Sequence, residues 1–227
     1  MSPSRGSLFS VIASEVSSCS LCPRLVSWRG QVASEKKAAH RDEIYWGRPV
    51  PGFGDPRATV LIVGLAPAAH GGNRTGRVFT GDRSGDWLFR ALHRAGFANR
   101  PESIARDDGL ELRGAYVTAA VKCAPPGNKP TPVERDTCLP FLRREMVGLT
   151  DVRVVVALGG FAYQVVAREL EVRPAPRFGH MVEVIAPSGV TILCSFHPSQ
   201  QNTFTGRLTE RDFDAVFTRA RDLVTLH

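Results

Sequence analysis

Three stretches of this chain combine glycine, proline and polar side chains in the manner of a ligand pocket. They read GLAPAAHGGNRTGRVFTGD at residues 64–82, CAPPGNKPTP at residues 123–132 and SFHPSQQNTFTG at residues 195–206. Each comes at the end of a short apolar run, and glycine allows the backbone to approach a ligand closely. Neither GxxxxGK followed by Ser or Thr nor GxGxxG occurs in the chain, so a nucleotide-phosphate loop is not indicated. A pocket for a flat, polar ligand fits the composition better.

Five cysteines supply a second kind of chemistry. Cys19 and Cys22 form a CxxC pair, which on its own is also typical of a chance pair or a redox motif. Cys123 and Cys138 flank a proline-rich segment that is stiff enough to bring them onto that pair. Four thiolates suit either structural Zn²⁺ or a [4Fe-4S] cluster, and the spacing does not separate the two. Cys194 lies within an apolar run, where a free cysteine behaves as a small hydrophobic residue, so we assign it to the core.

Four short, nearly continuous apolar runs predict strands that are buried on both faces: Thr59 to Leu65, Ala115 to Val121, Val152 to Leu158 and Val190 to Phe196. Helical patterns follow them at Ser84 to Ala95, Pro132 to Val147, Phe161 to Leu170 and Arg211 to Leu226. This alternation predicts an α/β fold with a four-stranded parallel sheet between two layers of helices. Such sheets bind ligands at the carboxyl edge of their strands, so the three stretches should meet there. Residues 23–58 are predicted to form an irregular N-terminal arm, and Pro140 a kink or an early break in the second helix.

Length and charge limit the classes of function. The chain has 227 residues, 43% of them hydrophobic, which suits a single domain over residues 1–227. Its net charge of +7 favours a polyanionic partner such as nucleic acid. No apolar run approaches the length of a membrane span and the N-terminus carries no clear secretion signal, so we expect a cytoplasmic protein without a membrane partner. An odd number of cysteines in a reducing compartment favours metal ligation or catalysis over disulfides.

Together, the three stretches and the pattern of Cys19, Cys22, Cys123 and Cys138 resemble the uracil-DNA glycosylase superfamily, specifically its iron-sulfur type-5 branch. The resemblance runs from about Cys19 to the last helical pattern. It implies an α/β/α sandwich, a structural [4Fe-4S] cluster on these four cysteines with a contribution from the N-terminal arm, and excision of uracil from DNA. It also implies a pocket wide enough for some other deaminated or modified bases, such as hypoxanthine.

The resemblance gives roles to individual residues in these motifs. Phe79 is the expected platform on which a flipped base stacks, with Gly64 and Ala66 completing the base pocket. Asn128 can present an amide donor and a carbonyl acceptor to the edge of uracil. His197, as a neutral imidazole, is expected to donate a hydrogen bond to O2 of the departing base. Apart from the resemblance, Phe79 could be a core residue and Asn128 an ordinary turn residue.

Asp82 is predicted as the catalytic acid because no acid follows Pro67 in this chain. Other branches of the superfamily carry an acid or Asn shortly after the first strand's proline, where this chain has Ala68 and Ala69 after Pro67. Asp82 is then the nearest acid in the motif and matches a position considered catalytic in the type-5 branch. We expect its carboxylate to stabilise an oxocarbenium-like sugar and to position the attacking water. Its alternative role is a cap for the helix that begins near Ser84.

DNA contacts are expected from basic, polar and apolar side chains around the same motifs: Arg74, Arg77, Gln201, Arg207 and Leu208. Arginines neutralise phosphates without reading sequence, and an apolar wedge, Leu208 or Phe204, would hold the duplex open. No lysine is convincingly placed as an amine nucleophile. The expected enzyme therefore releases the base and leaves an abasic site without cutting the strand. We also expect it to be a monomer.

Two alternatives remain open from the sequence. The missing acid after Pro67 would also fit a protein that binds uracil-containing DNA without turnover. A branch that becomes trapped covalently on DNA through a histidine in a basic insertion is disfavoured, because GGNRTGRVFTGD contains no such insertion.

Overall fold

The computed structural model describes residues 5–225; residue Leu226 of the last predicted helix and the ends of the predicted domain lie outside this range. The strands are β1 (Phe53–Gly54), β2 (Val60–Gly64), β3 (Ala115–Ala119), β4 (Val154–Leu158), β5 (Glu183–Ile185) and β6 (Thr191–Ser195). The helices are α1 (Arg5–Ser18), α2 (Pro23–Glu35), α3 (Gly72–Thr75), α4 (Arg83–Arg94), α5 (Pro132–Gly148), α6 (Gly160–Glu169), α7 (Gln200–Phe204) and α8 (Glu210–Thr225). Two 3-10 turns lie at Ala38–His40 and Pro126–Asn128. None of the helices within residues 5–225 is long and apolar enough to cross a membrane.

The sheet has six strands in the order β1-β3-β2-β4-β6-β5 and is mixed, which corrects the predicted four-stranded parallel sheet. The four predicted strands form its parallel centre, while β1 and β5 pair antiparallel at the two edges. The edge strands escape prediction because they are only two and three residues long. They also lack the continuous burial that gives β2, β3 and β4 their apolar sequences.

Helices cover both faces of the sheet. Ile62 and Val117 pack in one core cluster with α4 and α8, whereas the neighbouring Leu61 and Val63 pack in another with α1, α5 and α6. Successive side chains of a strand point to opposite faces, so one buried strand serves both layers. The parallel strands therefore present their carboxyl ends at a single edge, where the loops that follow β2, β3 and β6 begin.

The predicted irregular arm over residues 23–58 is wrong at its start, where α2 occupies Pro23–Glu35. Proline in the first turn presets the helical φ angle, and Leu25, Arg29 and Val32 bury one face at helical spacing. The segment is irregular only beyond α2. The predicted break at Pro140 is also wrong, because α5 continues through it to Gly148.

Candidate active site

A cavity of about 490 Å³ opens at the carboxyl edge of the parallel strands. The loops after β2, β3 and β6 all contribute to its wall, as the three stretches predict. It is lined by Leu65, Ala66, Pro67, Ala68, Phe79, Asp82, Arg83, Ser84, Asn128, His197, Ser199, Gln200 and Gln201. An aromatic ring, a carboxylate, an amide and an imidazole thus share one space.

Phe79 forms an aromatic wall of this cavity and is only 7% exposed. Its backbone has a positive φ of 52°, an uncommon conformation for a residue with a side chain. The ring lies against Gly64, where an added Cβ would stand 2.6 Å from Cζ of Phe79. Gly64 therefore supports the ring from below and does not itself line the cavity. The ring of His197 stacks on that of Phe79 at a centroid distance of 5.8 Å and an interplanar angle of 30°.

Asp82 caps a helix and also lines the cavity, the two positions that its alternative predicted roles require. Its Oδ1 accepts the backbone N–H of Gly85 over 3.0 Å, which caps α4. The half-buried carboxylate also lines the cavity, and its other oxygen packs so closely on Gly71 that a Cβ there would clash with it. Burial raises the pKa of Asp82 above its ordinary value, against the lowering effect of the backbone N–H groups of Gly85 and Ser84.

His197 and Asn128 reach the cavity from the other two loops. Burial lowers the pKa of His197 to about 4, which keeps the imidazole neutral near pH 7. Its Nδ1 is buried without a hydrogen-bond partner among residues 5–225. Asn202 donates from Nδ2 to the His197 carbonyl over 2.8 Å and so holds this backbone in place. Asn128 is exposed in its turn, with a positive φ of 57°.

Two of the arginines predicted to contact DNA form ion pairs within the protein instead. Arg77 is 3% exposed and binds Asp108 at 2.6 Å, because the turn after α3 points its side chain inward. Burial alone would raise the pKa of Asp108, but the Arg77 guanidinium and three backbone N–H groups hold it well below its usual range. Arg74 forms an ion pair with Glu43 and donates from Nη2 to the carbonyl of Gly81 over 2.9 Å. Both arginines shape the cavity loop, and neither presents a free guanidinium to a phosphate.

The prediction of Leu208 as a DNA wedge is wrong in this structure. Leu208 is 0% exposed and packs in the core cluster of α4 and α8, because the chain turns inward there before α8. Phe204, the other candidate, is 66% exposed at the end of α7. Gln201 and Arg207 are exposed, and their DNA contacts stay a prediction.

Motif spacing did not identify four polar residues of the cavity, Arg83, Ser84, Ser199 and Gln200. Arg83 and Ser84 follow Asp82 directly in the first turn of α4, and Ser199 stands just before α7. The signal that could have found them is position alone, because polar residues that open a helix after a parallel strand face the ligand edge.

The four predicted ligand cysteines surround a second, smaller cavity. Cys19 and Cys22 come from the segment between α1 and α2, Cys123 follows β3, and Cys138 lies within α5. The rest of its wall is mostly apolar: Leu21, Leu25, Val26, Pro49 and Phe141. Within residues 5–225, no group of three or more His, Cys, Asp or Glu is placed to hold a single metal ion. The four cysteines have in common that they line this one space.

Hydrogen-bond donors reach two of these sulfur atoms. Arg29 is 8% exposed and donates from Nη1 to Sγ of Cys123 over 3.1 Å and from Nη2 to the Cys19 carbonyl over 3.2 Å. The backbone N–H of Lys122 donates to Sγ of Cys138 over 3.2 Å. Burial raises the pKa of Cys123 to about 11 and that of Cys138 to about 12. The donors favour thiolates at both positions, as a metal group also would.

Cys194 lies apart from this cavity. It is 0% exposed in β6 and packs in the core cluster of α1, α5 and α6. Burial raises its pKa to about 12. It behaves as the small core residue that the sequence predicts.

Known proteins similar to this chain agree with one another. A family model described as the uracil DNA glycosylase superfamily matches residues 51–221. The type-5 uracil-DNA glycosylase of Mycobacterium tuberculosis is 56% identical over 211 residues, which cover 92% of this chain and 79% of that protein. The type-5 uracil-DNA glycosylase of Thermus thermophilus is 50% identical over 212 residues, 93% of this chain and 96% of that protein. The type-4 uracil-DNA glycosylase of Pyrobaculum aerophilum is 32% identical over 161 residues, 68% of this chain and 74% of that protein.

Proposed function

The chain belongs to the uracil-DNA glycosylase superfamily, and on that premise we propose that it excises uracil from DNA by hydrolysing the N-glycosidic bond, the first step of base excision repair. One observation carries the mechanism: groups suited to stack, read and release a base come from three separate loops onto one cavity. They are Phe79, Asp82, Asn128 and His197. All four belong to one chain, so a monomer is sufficient, and the DNA substrate fits action in the cytoplasm.

Binding begins with extrusion of the nucleotide, because the glycosidic bond cannot be reached inside the base stack. The uracil ring lies on Phe79, a contact worth about 1–3 kcal/mol per stacked base. The side-chain amide of Asn128 pairs with the polar edge of the ring, donating to a carbonyl oxygen and accepting from the N–H. The small residues Ala66 and Ala68 in the wall leave room for a larger base. Hypoxanthine is therefore part of the proposed substrate range.

Bond cleavage leaves negative charge on the base and positive charge on the sugar. His197, neutral because its pKa is about 4, donates an N–H to O2 of the departing uracil and stabilises the anion. The Asp82 carboxylate stabilises the oxocarbenium-like sugar and orients the water that adds to C1′. The bond between C1′ and N1 breaks, the water oxygen bonds to C1′, and its proton leaves through Asp82.

The products are a free base and an abasic site in an intact strand. Strand cleavage would need an amine that attacks C1′, and no lysine lines the cavity in the described part of the chain. Lys122 is 1% exposed and its ammonium pairs with Glu145 at 2.6 Å. A uracil-containing duplex assayed with and without alkali tests this proposal. Breaks are expected only after alkali, and breaks without it would contradict the mechanism.

A binding protein without turnover is the rival proposal that the missing acid after Pro67 favours. The two differ under limiting protein. With uracil-containing duplex in excess, the glycosylase releases many equivalents of base, whereas a binder yields a stable shifted complex and at most one equivalent. The position of Asp82 on the cavity wall supports the glycosylase, because Asp82 supplies a carboxylate that is missing from the residues directly after Pro67.

We further propose that Cys19, Cys22, Cys123 and Cys138 hold a [4Fe-4S] cluster. Four thiols that line a shared, mostly apolar space supply the ligand set of such a cluster. These residues would hold the cluster as thiolate ligands, and the bound group would then link the segment between α1 and α2 to α5 and to the residues after β3. Anaerobically purified protein should be yellow-brown with about four iron atoms per chain, as expected for such a cluster. A colourless preparation that carries zinc would contradict the cluster.

A further inference from the structure

Two groups of arginines in this protein differ in what their side chains contact. Many form ion pairs with nearby carboxylates, as Arg77 does with Asp108. The side chains of others have no hydrogen bond or ion pair within residues 5–225 and instead lie over an aromatic ring. These are Arg48 and Arg106 over Trp46 at 5.5 and 4.7 Å, Arg83 over Phe204 at 4.3 Å, and Arg207 over Phe196 at 4.3 Å. All four of these arginines are exposed.

Arg83 is the member of this group that lines the active-site cavity. It is the first residue of α4 and follows Asp82 directly. Its ring partner, Phe204, ends α7, the short helix whose first residues, Gln200 and Gln201, line the same cavity. The contact between Arg83 and Phe204 therefore joins the loop after β2 to the segment after β6 beside the base pocket.

Stacking fixes the plane of a guanidinium without using its donors. The N–H groups of arginine lie in that plane and match two oxygens of a phosphate, so a stacked arginine stays ready for bidentate binding. Arg77 shows the contrast. Its guanidinium also lies over a ring, Phe53 at 5.0 Å, but its nitrogens donate to Thr80, Ser103 and Asp108. Only Arg83 combines free donors, exposure and a place on the cavity wall among residues 5–225.

We propose that Arg83, stacked on Phe204, binds a phosphate next to the extruded nucleotide and thereby positions its sugar over Asp82. This inference rests on the proposed glycosylase function. Asp82 is assigned to C1′ of the sugar, and the flanking phosphates are bonded to that same sugar. The neighbour of Asp82 in the chain is thus the residue best placed to hold one of them. Phe204 takes a second role as the surface that keeps the guanidinium in position.

The test removes the charge from each partner separately and then from both. Uracil-containing duplexes are made with a neutral methylphosphonate on the 5′ or the 3′ side of the uridine, beside the normal duplex. Single-turnover excision and equilibrium binding by fluorescence anisotropy are measured for the wild type, Arg83→Ala and Arg57→Ala. Arg57 is an equally charged, exposed residue ahead of β2, at the opposite edge of the sheet, and thus controls for net charge.

One neutral phosphate should slow the wild type by about 10- to 100-fold, the range expected for a charged bidentate contact. Arg83→Ala should be slower by a similar factor on the normal duplex and should lose nothing further on the neutral one. Arg57→Ala should keep the full response of the wild type. If Arg83→Ala still responds fully to both neutral phosphates, the contact is refuted.

Failure of the proposed function gives a different result. A wild type that releases no uracil refutes the glycosylase, while the binding arm still reports whether Arg83 and the phosphate are coupled. Circular dichroism and thermal unfolding of each variant exclude misfolding as the cause of a loss. Phe204→Leu, which keeps Arg83 but removes its ring, should weaken the coupling to one phosphate by a smaller factor, and unchanged coupling would refute the part assigned to Phe204.

Discussion

The base cavity and the cysteine cavity share a loop but are built for different purposes. After β3 the chain passes Cys123, which borders the cysteine cavity, and then Asn128, which borders the base cavity. The base cavity is roomy at about 490 Å³, and its polar groups are half-buried or exposed. The cysteine cavity is small and mostly apolar, with buried thiols at Cys123 and Cys138. Changes in the first should alter rate at nearly constant stability, whereas changes in the second should alter stability first.

The largest effect is expected from removing a proposed cluster ligand. Cys138→Ala should lose iron and lower the free energy of unfolding by several kcal/mol, because metal-binding free energy contributes to folding. Excision should then fall as a consequence of unfolding. Cys194→Ala is the control, since it removes a buried thiol outside the cavity and should retain iron. Iron analysis and thermal unfolding measure both. If Cys138→Ala keeps its iron and its stability, the expectation that the cysteine cavity controls stability is contradicted.

Asp82→Asn should separate rate from stability more clearly than any other change. Asn caps a helix about as well as Asp, so the bond to Gly85 can persist, while loss of the carboxylate should slow excision by about 10²- to 10⁴-fold. Since burial raises the pKa of Asp82, its ionised form is unfavourable in the fold, and the Asn variant should unfold at an equal or higher temperature. Asp82→Ala should instead lose about 1 kcal/mol of capping. If Asp82→Asn excises uracil at the same rate as the wild type, Asp82 serves only as the cap of α4.

His197→Ala should lower the single-turnover rate by about 10²- to 10³-fold, the usual effect of removing one donor to a developing anion. Iron content should be unchanged, because His197 borders only the base cavity. The matched control is His180→Ala, whose imidazole stacks on Phe196 outside the cavity wall. A similar loss in both variants would point to packing and not to a donor role for His197.

Sequence patterns predict the centre of this fold and the walls of its cavity, because both depend on long apolar runs and on the polar loops directly after them. They fail where a side chain's surroundings decide its role. Arg77 and Leu208 have the right types for DNA contacts, yet one is buried on Asp108 and the other in the core. Arg83 is missed for the converse reason, since its ring partner Phe204 comes from a segment distant in sequence.

Stability should also depend on pH through His197. Its pKa is about 4 in the fold and near 6.5 in the unfolded chain. Between these values the unfolded chain binds more protons, so the free energy of unfolding should fall as pH drops from about 6.5 to about 4. In His197→Ala this contribution is absent, and the decline over that window should be shallower. Denaturant unfolding at a series of pH values tests it, and parallel curves would rule out a buried neutral imidazole.

The smallest effect is expected from Arg29→Lys, which tests the cysteine cavity without removing a ligand. Lysine keeps the positive charge but cannot bridge Sγ of Cys123 and the Cys19 carbonyl with one planar group. Loss of such a bridge should cost about 1 kcal/mol. Because hydrogen bonds to sulfur also tune cluster potential, the reduction potential should shift and chelators should remove iron faster. Excision per iron-loaded molecule should stay constant, since Arg29 lies outside the base cavity. The contrary result would be slower excision with an unchanged reduction potential and unchanged iron loss. A change at the cysteine cavity would then affect catalysis through the loop after β3, and the two cavities would form one functional unit.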